Sequence, residues 1–262
     1  MEILVCAKRV PDTSENEIEL NSAGNDIERD DLVYSVNEPD NYAVEEALEI
    51  VERTGGTVTV ATVGGDEDEE ILRREMAMGA KQAALLSDDT FEGSDGRGIA
   101  SILAAFVKKG HYELILTGVQ ADDGAAQVGG MLAALLDYPF ASLVTSIEVQ
   151  EGGKLKIGRE IEGGNKEIYE IDLPCVLSIQ TGINEPRYVG MRGIRQVASI
   201  PIPTLGKAEL GMNGFSGKAA AKVKCTDYFV PPMGKGAEML TGSQGEIIGK
   251  LVDLLKAKGG LK

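Results

Sequence analysis

The strongest constraint on this chain is an alternation running through its first half. Short apolar runs rich in strand formers take turns with segments of helical period. Ile3–Lys8 is the first such run, closed by Pro11. Unbroken apolar runs of this length suit strands buried on both faces, as in parallel sheets covered by helices. Asp40 can cap the helix that follows, in which Ala43, Val44, Ala47, Leu48 and Val51 recur at helical spacing until Gly55-Gly56 ends it. Val58–Val63 is the second run, and Gly64-Gly65 turns into a helix over Asp66–Met78. The acids of its first turns complement the helix dipole. Ala83–Leu86, a helix over 95–109, Leu114–Thr117 and a helix ending at Leu136 complete the series. Strand and helix alternating in this way predict an α/β fold with a doubly wound, mostly parallel sheet. Right-handed crossovers then line up the strand C-termini along one edge.

Two regions break the pattern. Residues 17–36 predict a hairpin about the turn Asn21–Asn25. Residues 142–149, 154–162 and 166–173 predict an added antiparallel hairpin region, with glycine turns at 152–153 and 163–164. Pro174–Ile179 is one more buried run, followed by the rigid turn Asn184-Glu-Pro-Arg-Tyr188. Beyond Pro201 and Pro203, residues 204–244 show little periodicity, and Ile247–Lys258 is an amphipathic helix. A lone helix of this length is marginal without a surface to pack on. The expected organisation is therefore an α/β body over 1–203 and an extended C-terminal arm over 204–262.

Charge and cysteine usage narrow the function. Acids outnumber bases 42 to 26, for a net charge of −16. Nucleic-acid binders and proteins held on anionic membranes carry basic surfaces, so neither partner is expected. No run approaches the roughly 18 apolar residues of a membrane span, and Glu2 and Lys8 interrupt the short apolar start, so neither membrane insertion nor a signal peptide is expected. Cys6, Cys175 and Cys225 include no CxxC, which leaves no zinc knuckle, cluster-binding run or disulfide framework to read and fits a cytoplasmic protein.

In open α/β sheets ligands bind beyond the strand C-termini. Three loops converge there: Ala7–Thr13, Val63-Gly64-Gly65, and Gly118–Gly129, which includes Gln120, Asp122, Gln127 and Val128. The last follows a strand, opens a helix and is rich in small residues. Exposed backbone N–H groups at a helix N-terminus favour a phosphate, and Asp122 and Asp123 suit a ribose hydroxyl or a helix cap. The spacing alone fits a nucleotide-binding loop or a purely structural one. It is neither GxGxxG nor a P-loop. His111 is the single histidine and follows Lys108-Lys109-Gly110, at a surface helix end. A Ser–His–acid triad would depend wholly on it. A nucleotide pocket without a visible catalytic side chain favours a binding or carrier protein over an enzyme.

Several segments together resemble the β subunit of electron transfer flavoproteins. They are Val5–Thr13, Asn37, Ala43–Ala47, Ala77–Ala80, Gly118–Gly129, Arg159–Gly163, Leu173-Pro174 and Asn184–Tyr188. The last looks like the family's signature. The resemblance implies a heterodimer with a larger α subunit, which carries most of a shared FAD, and a nucleotide of the β subunit's own: AMP, or a second FAD in the electron-bifurcating branch. Carried over by position, the pocket is Ala7, Asn37, Val63, Gly118, Asp122, Gln127, Val128 and Gly129, to which the converging loops add Gly64 and Gln120. Asn184, Glu185, Pro186, Arg187, Tyr188 and Met191 occupy the partner-recognition segment. Electrons would pass from flavin-containing dehydrogenases to a quinone reductase or another electron-accepting oxidoreductase.

Two departures stand out. Ala126-Gln-Val-Gly129 replaces the Asn-Gln-Thr-Gly of the AMP-binding branch and looks closer to the bifurcating one, in a loop one residue shorter than usual. The lysine-rich stretch after the recognition loop is absent; Arg192-Gly-Ile-Arg195-Gln-Val-Ala-Ser199 stands there. The alternative is an adenine-nucleotide-binding regulator of the stress-protein type, with a similar sheet and no flavin.

Overall fold

A computed structural model of the 262-residue chain describes every residue except Met233, Lys235 and Lys262. Its centre is a nine-stranded sheet in the order β11-β5-β4-β1-β6-β10-β7-β8-β9. These strands are β1 (Glu2–Cys6), β4 (Thr57–Val63), β5 (Gln82–Leu86), β6 (Leu114–Gly118), β7 (Phe140–Gln150), β8 (Lys154–Ile161), β9 (Asn165–Asp172), β10 (Cys175–Ile179) and β11 (Thr204–Leu205). Pairing is parallel from β11 to β7 and antiparallel along β7-β8-β9. The doubly wound sheet with an added antiparallel region is therefore present. A separate two-stranded sheet pairs β2 (Arg9–Pro11) with β3 (Tyr34–Val36).

Alternation along each strand divides the core into two layers. Ile3 and Val5 of β1 meet Ala43, Val44, Ala47, Leu48, Leu72 and Met76 from α1 (Glu38–Thr54) and α2 (Glu69–Met78). Leu4, between them, faces Ile102, Leu103, Leu132 and Ala133 from α3 (Gly96–Val107) and α4 (Val128–Leu136). Each fully buried Leu or Ile contributes roughly 1.5–3 kcal/mol, so both layers hold the central strands firmly. The chain runs outward from β1 through β4 to β5, then returns to β6 on the other side of β1. The β1/β6 boundary is thus the topological switch point, where the flanking loops diverge and leave a crevice.

Several local expectations are corrected. Residues 17–36 do not form the hairpin of the sequence reading. Leu20 and Ile27 make one isolated antiparallel bridge, while β3 pairs with β2. The Asn16 side chain takes the strand partner's place beside Val33, donating to its carbonyl at 2.7 Å and accepting from its N–H at 2.8 Å. Asp40 does not cap α1, because Asn37 is the N-cap and Pro39 lies in the first turn. The acid run begins as a 3-10 turn over Asp66–Asp68 before α2 starts.

By its internal contacts the chain divides into two units, residues 1–18 with 29–226 and residues 19–28 with 227–262. Residues 204–226, grouped with the arm on sequence, lie in the first unit. There β11 extends β5, and the short helices α6 (Lys207–Leu210) and α7 (Gly217–Ala220) follow. Leu210 is buried, and the Phe215 ring meets Phe91 edge-on at 5.9 Å. Between α4 and α6, α5 (Met191–Val197) follows the Asn184–Tyr188 turn. In the second unit, α8 (Gln244–Ala257) is stabilised at its start by Glu246, whose carboxylate accepts from the Ser243 N–H at 2.8 Å. Ile248, Leu251, Leu254 and Leu255 are exposed on it. No helix among the described residues is long and apolar enough to cross a membrane.

Candidate functional site

Three of the converging loops end at the switch-point crevice, and one buried carboxylate ties two of them together. Asp40 accepts from the Lys8 N–H beyond β1 through one oxygen and from the Gly118 N–H at the end of β6 through the other, each at 2.9 Å. A side chain at Gly118 would run into Asp40 and Pro39, so glycine is required for this approach. Burial pushes the Asp40 carboxyl up to about 7, against the lowering effect of the Lys8, Asn37 and Gly118 donors. Burial, with the Asp40 charge added, pushes the Cys6 thiol up to about 12.

Asn37 forms a second tie. Its side-chain amide donates to the Gln120 carbonyl at 3.0 Å, and its own N–H donates to the Lys8 carbonyl at 2.9 Å. Lys8 reaches on to form an ion pair with Asp123. Gln120 closes the loop upon itself by donating to the Gly124 carbonyl at 2.9 Å. Ala7 is buried, and its N–H donates to the Ala61 carbonyl at 3.0 Å. Asn37, Gly118 and Gln120 are thus brought into one network through Lys8 and Asp40, with Ala7 the chain neighbour of Lys8. Val63 ends β4, the other neighbour of β1, and the Gly64 N–H donates to the Leu86 carbonyl at 3.1 Å. Asp122 and Gln127 are exposed on the loop.

The loop enters α4 through Ala126, whose φ of 54° lies in the left-handed region. Gln127 is the N-cap and makes no side-chain cap hydrogen bond. Gly129 seats the helix against the sheet, because a Cβ there would stand 2.4 Å from Ser178 Oγ and 2.9 Å from Thr117 Oγ1. Those two hydroxyls hydrogen-bond each other at 2.8 Å. The first N–H groups of a helix have no partner within it, so α4 offers donors and a positive dipole end at the crevice. The side-chain oxygen of Asn37, at a residue only 1% exposed, has no hydrogen-bond partner within the chain. The crevice network thus holds an orphaned buried acceptor, and the loop that belongs to it leads into a helix N-terminus without a side-chain cap; together they suit a ligand that pairs a donor-bearing ring with an anionic group. These residues fit an adenine nucleotide.

The recognition segment divides into two kinds of residue. Asn184 and Arg187 face inward onto α1. The Asn184 amide donates to the Tyr42 carbonyl at 3.1 Å and to Glu46 at 3.2 Å. Arg187 grips Glu45, side chain to side chain at 2.8–3.0 Å and through its backbone N–H at 2.9 Å, and reaches Glu52 at 2.8 Å. Both carboxylates raise the Arg187 pKa further. Pro186 is half-buried and Glu185 exposed, while Tyr188 and Met191 point outward at 93% and 67% exposure. Arg187→Ala leaves the Glu45 carboxylate, 5% exposed, with a single backbone donor. The expected loss is about 1.5–3 kcal/mol, as for hydrogen bonds to a charged group whose partner Glu45 is buried while Arg187 itself is half-exposed, read as a lower urea midpoint. Arg187→Lys should recover little of it, since an ammonium cannot fork between the two carboxylates; an unshifted midpoint in both variants excludes this anchoring role.

Sequence reasoning missed the Asp40 clip, the Lys8–Asp123 pair and the buried acids Glu45 and Glu46. Their signal was available: two acids sit amid the apolar face of α1, where an unpaired charge is costly.

Residues 25–210 match the family described as the electron transfer flavoprotein domain. The electron transfer flavoprotein subunit beta of Methylophilus methylotrophus is 36% identical over 260 residues, covering 97% of this chain and 98% of its own. That of Bacillus subtilis (strain 168) is 35% identical over 260 residues, with 98% of each covered. The caffeyl-CoA reductase-Etf complex subunit CarD of Acetobacterium woodii is 38% identical over 263 residues, with 98% of this chain and 99% of its own covered. Identity at this level over nearly the whole length, together with the family match, shows that the chain belongs to the electron transfer flavoprotein β-subunit family and functions in electron transfer.

Proposed function

We propose that this chain is the nucleotide-holding, partner-docking half of a heterodimeric electron carrier. Its α subunit would hold most of a shared FAD, and the crevice beyond β1 and β6 would hold AMP or the adenylate part of a second FAD. The observations that carry the proposal are the orphaned Asn37 oxygen, tied through its amide to the 118–129 loop, and the N-terminus of α4, without a side-chain cap, into which that loop leads. Asn37 would accept from the adenine amino group, the amides opening α4 would take a phosphate, and Asp122 would take a ribose hydroxyl. When bound, the flavin supplies the redox chemistry; the chain's own residues bind, orient and shield it. Dehydrogenases carrying a flavin would deliver electrons, and a quinone reductase or another oxidoreductase would receive them. The name of the Acetobacterium woodii relative makes an acyl-CoA-type reductase one candidate for this class. The free thiols, Cys175 buried and Cys6 half-buried, suit a reducing cytoplasm.

Mass spectrometry of what the purified heterodimer releases on denaturation tests this reading. One FAD with one AMP, or two FAD, supports it and decides the branch. The Ala126–Gly129 loop, which has exchanged two polar side chains for apolar ones, leans toward the second flavin. A colourless self-dimer that binds an adenine nucleotide without flavin supports a regulator instead.

A further inference from the structure

The segment that carries Met191 is clamped to the body at both ends. On its N-terminal side Asn184 and Arg187 hold the turn to α1. On its C-terminal side Arg73 of α2 donates to the Val197 carbonyl at 2.8 Å and the Ile200 carbonyl at 3.1 Å. A guanidinium there satisfies carbonyls that a helix end leaves open. Glu69 in turn holds Arg73, accepting from its Nε at 2.8 Å. Gly193 lies against α2, where a Cβ would stand 3.4 Å from the Ala77 carbonyl oxygen. With its ends fixed and Gly193 inward, α5 presents a defined outer face.

That face is cationic and apolar. Arg192 and Arg195 are exposed, and neither makes an ion pair or side-chain hydrogen bond among the described residues. They lie three residues apart, which places them side by side on a helix. Tyr188 and Met191, the most exposed apolar side chains of the segment, come just before them in the chain. Tyrosine, methionine and arginine are the types enriched at protein interfaces. The whole chain meanwhile carries a net charge of −16.

We propose that this face docks on a partner protein whose apolar pocket, taking Met191, is rimmed by carboxylates that pair with Arg192 and Arg195. The inference rests on reading residues 184–191 as the recognition segment. Guanidinium groups pair best with carboxylates or phosphates, and the overall charge disfavours a polyphosphate partner. An acidic rim is repelled by the net negative charge of the chain and attracted by the two guanidinium groups on α5. Attraction at one face with repulsion elsewhere selects orientation as well as partner.

The test uses the heterodimer of this chain with its α subunit. The probe is a flavin acyl-CoA dehydrogenase pre-reduced by its own acyl-CoA, chosen as the one that reduces the wild type fastest. Second-order rate constants are measured at about 0.01 M and about 0.3 M salt, where screening lengths differ severalfold. R192E/R195E should be slower by about tenfold or more at low salt, with the gap closing at high salt. R192K/R195K should fall between it and the wild type. Met191→Ala should be slower at both salt concentrations, and flavin content should be equal throughout. If R192E/R195E keeps the wild-type rate at low salt while Met191→Ala is slow, the carboxylate rim is excluded and the recognition segment stands. If both keep the wild-type rate, the recognition reading itself fails.

Discussion

Glu75→Met is expected to make the protein more stable at pH 8 by several kcal/mol, with a smaller gain at pH 5. Glu75 lies on the inner side of α2 with 0% exposure, and neither carboxylate oxygen has a partner. Burial pushes its pKa from 4.5 up to about 8; Arg74 opposes the shift, and the Asp40 and Glu45 charges add to it. The unfolded chain releases this proton near the ordinary value, whereas the folded chain keeps it until about pH 8. Between those values the folded state holds a proton that the unfolded state lacks. Stability therefore falls as pH rises, by about 1.4 kcal/mol per pH unit for one such group. Across the window the penalty reaches the order of 5 kcal/mol. Methionine has similar reach, no charge and the flexibility to fill the same space. Asp40, raised to about 7, acts in the same direction, so the variant should keep a shallower slope. Urea unfolding of both proteins at pH 5 and pH 8 checks this. A wild-type midpoint that does not fall between these pH values excludes an ionisable burial cost at Glu75.

Removing residues 236–262 is expected to weaken the heterodimer by at least about a hundredfold. Ile248, Leu251 and Leu255 of α8 are between 41% and 52% exposed, on one face of a 14-residue helix. Burying such side chains stabilises by roughly 1.5–3 kcal/mol each, and about 1.4 kcal/mol is a tenfold change in affinity. Ordering the arm on binding offsets part of the gain, which is why the expectation is set below the full sum. I248S/L251S/L255S separates apolar contact from chain length and should reproduce most of the loss. Sedimentation of the two variants against the α subunit reads the effect directly. Wild-type affinity in both would mean that the arm packs on something other than the α subunit.

Much of the sheet was legible because its strands are local apolar runs. Ile3–Lys8 matches β1, Val58–Val63 matches β4, and Leu114–Thr117 matches β6 to within two residues at each end. The helix ending at Leu136 was equally plain, since its apolar side chains repeat at helical spacing. The loops were legible as a group because parallel topology brings strand ends together. What local pattern does not carry is pairing over distance. Arg187 and Glu45 are 142 residues apart, and Asp40 and Gly118 are 78 apart. An Asp before an apolar helical stretch reads as a cap, yet the buried Asp40 carboxylate serves two amides from other loops. The Asn184–Tyr188 turn reads as one recognition motif, yet Asn184 and Arg187 are inward anchors while Glu185 and Tyr188 face out.

Both margins of the nine-stranded sheet are blunted. At one, β11 is a strand of two residues laid along β5. At the other, β9 carries Lys166, Glu167, Glu170 and Asp172, all exposed. Very short and densely charged rims are poor templates for a further strand from another molecule. A freshly made copy of this chain therefore has no inviting border along which to stack with its siblings while it awaits assembly, and intermolecular growth of cross-β aggregates is disfavoured from the outset.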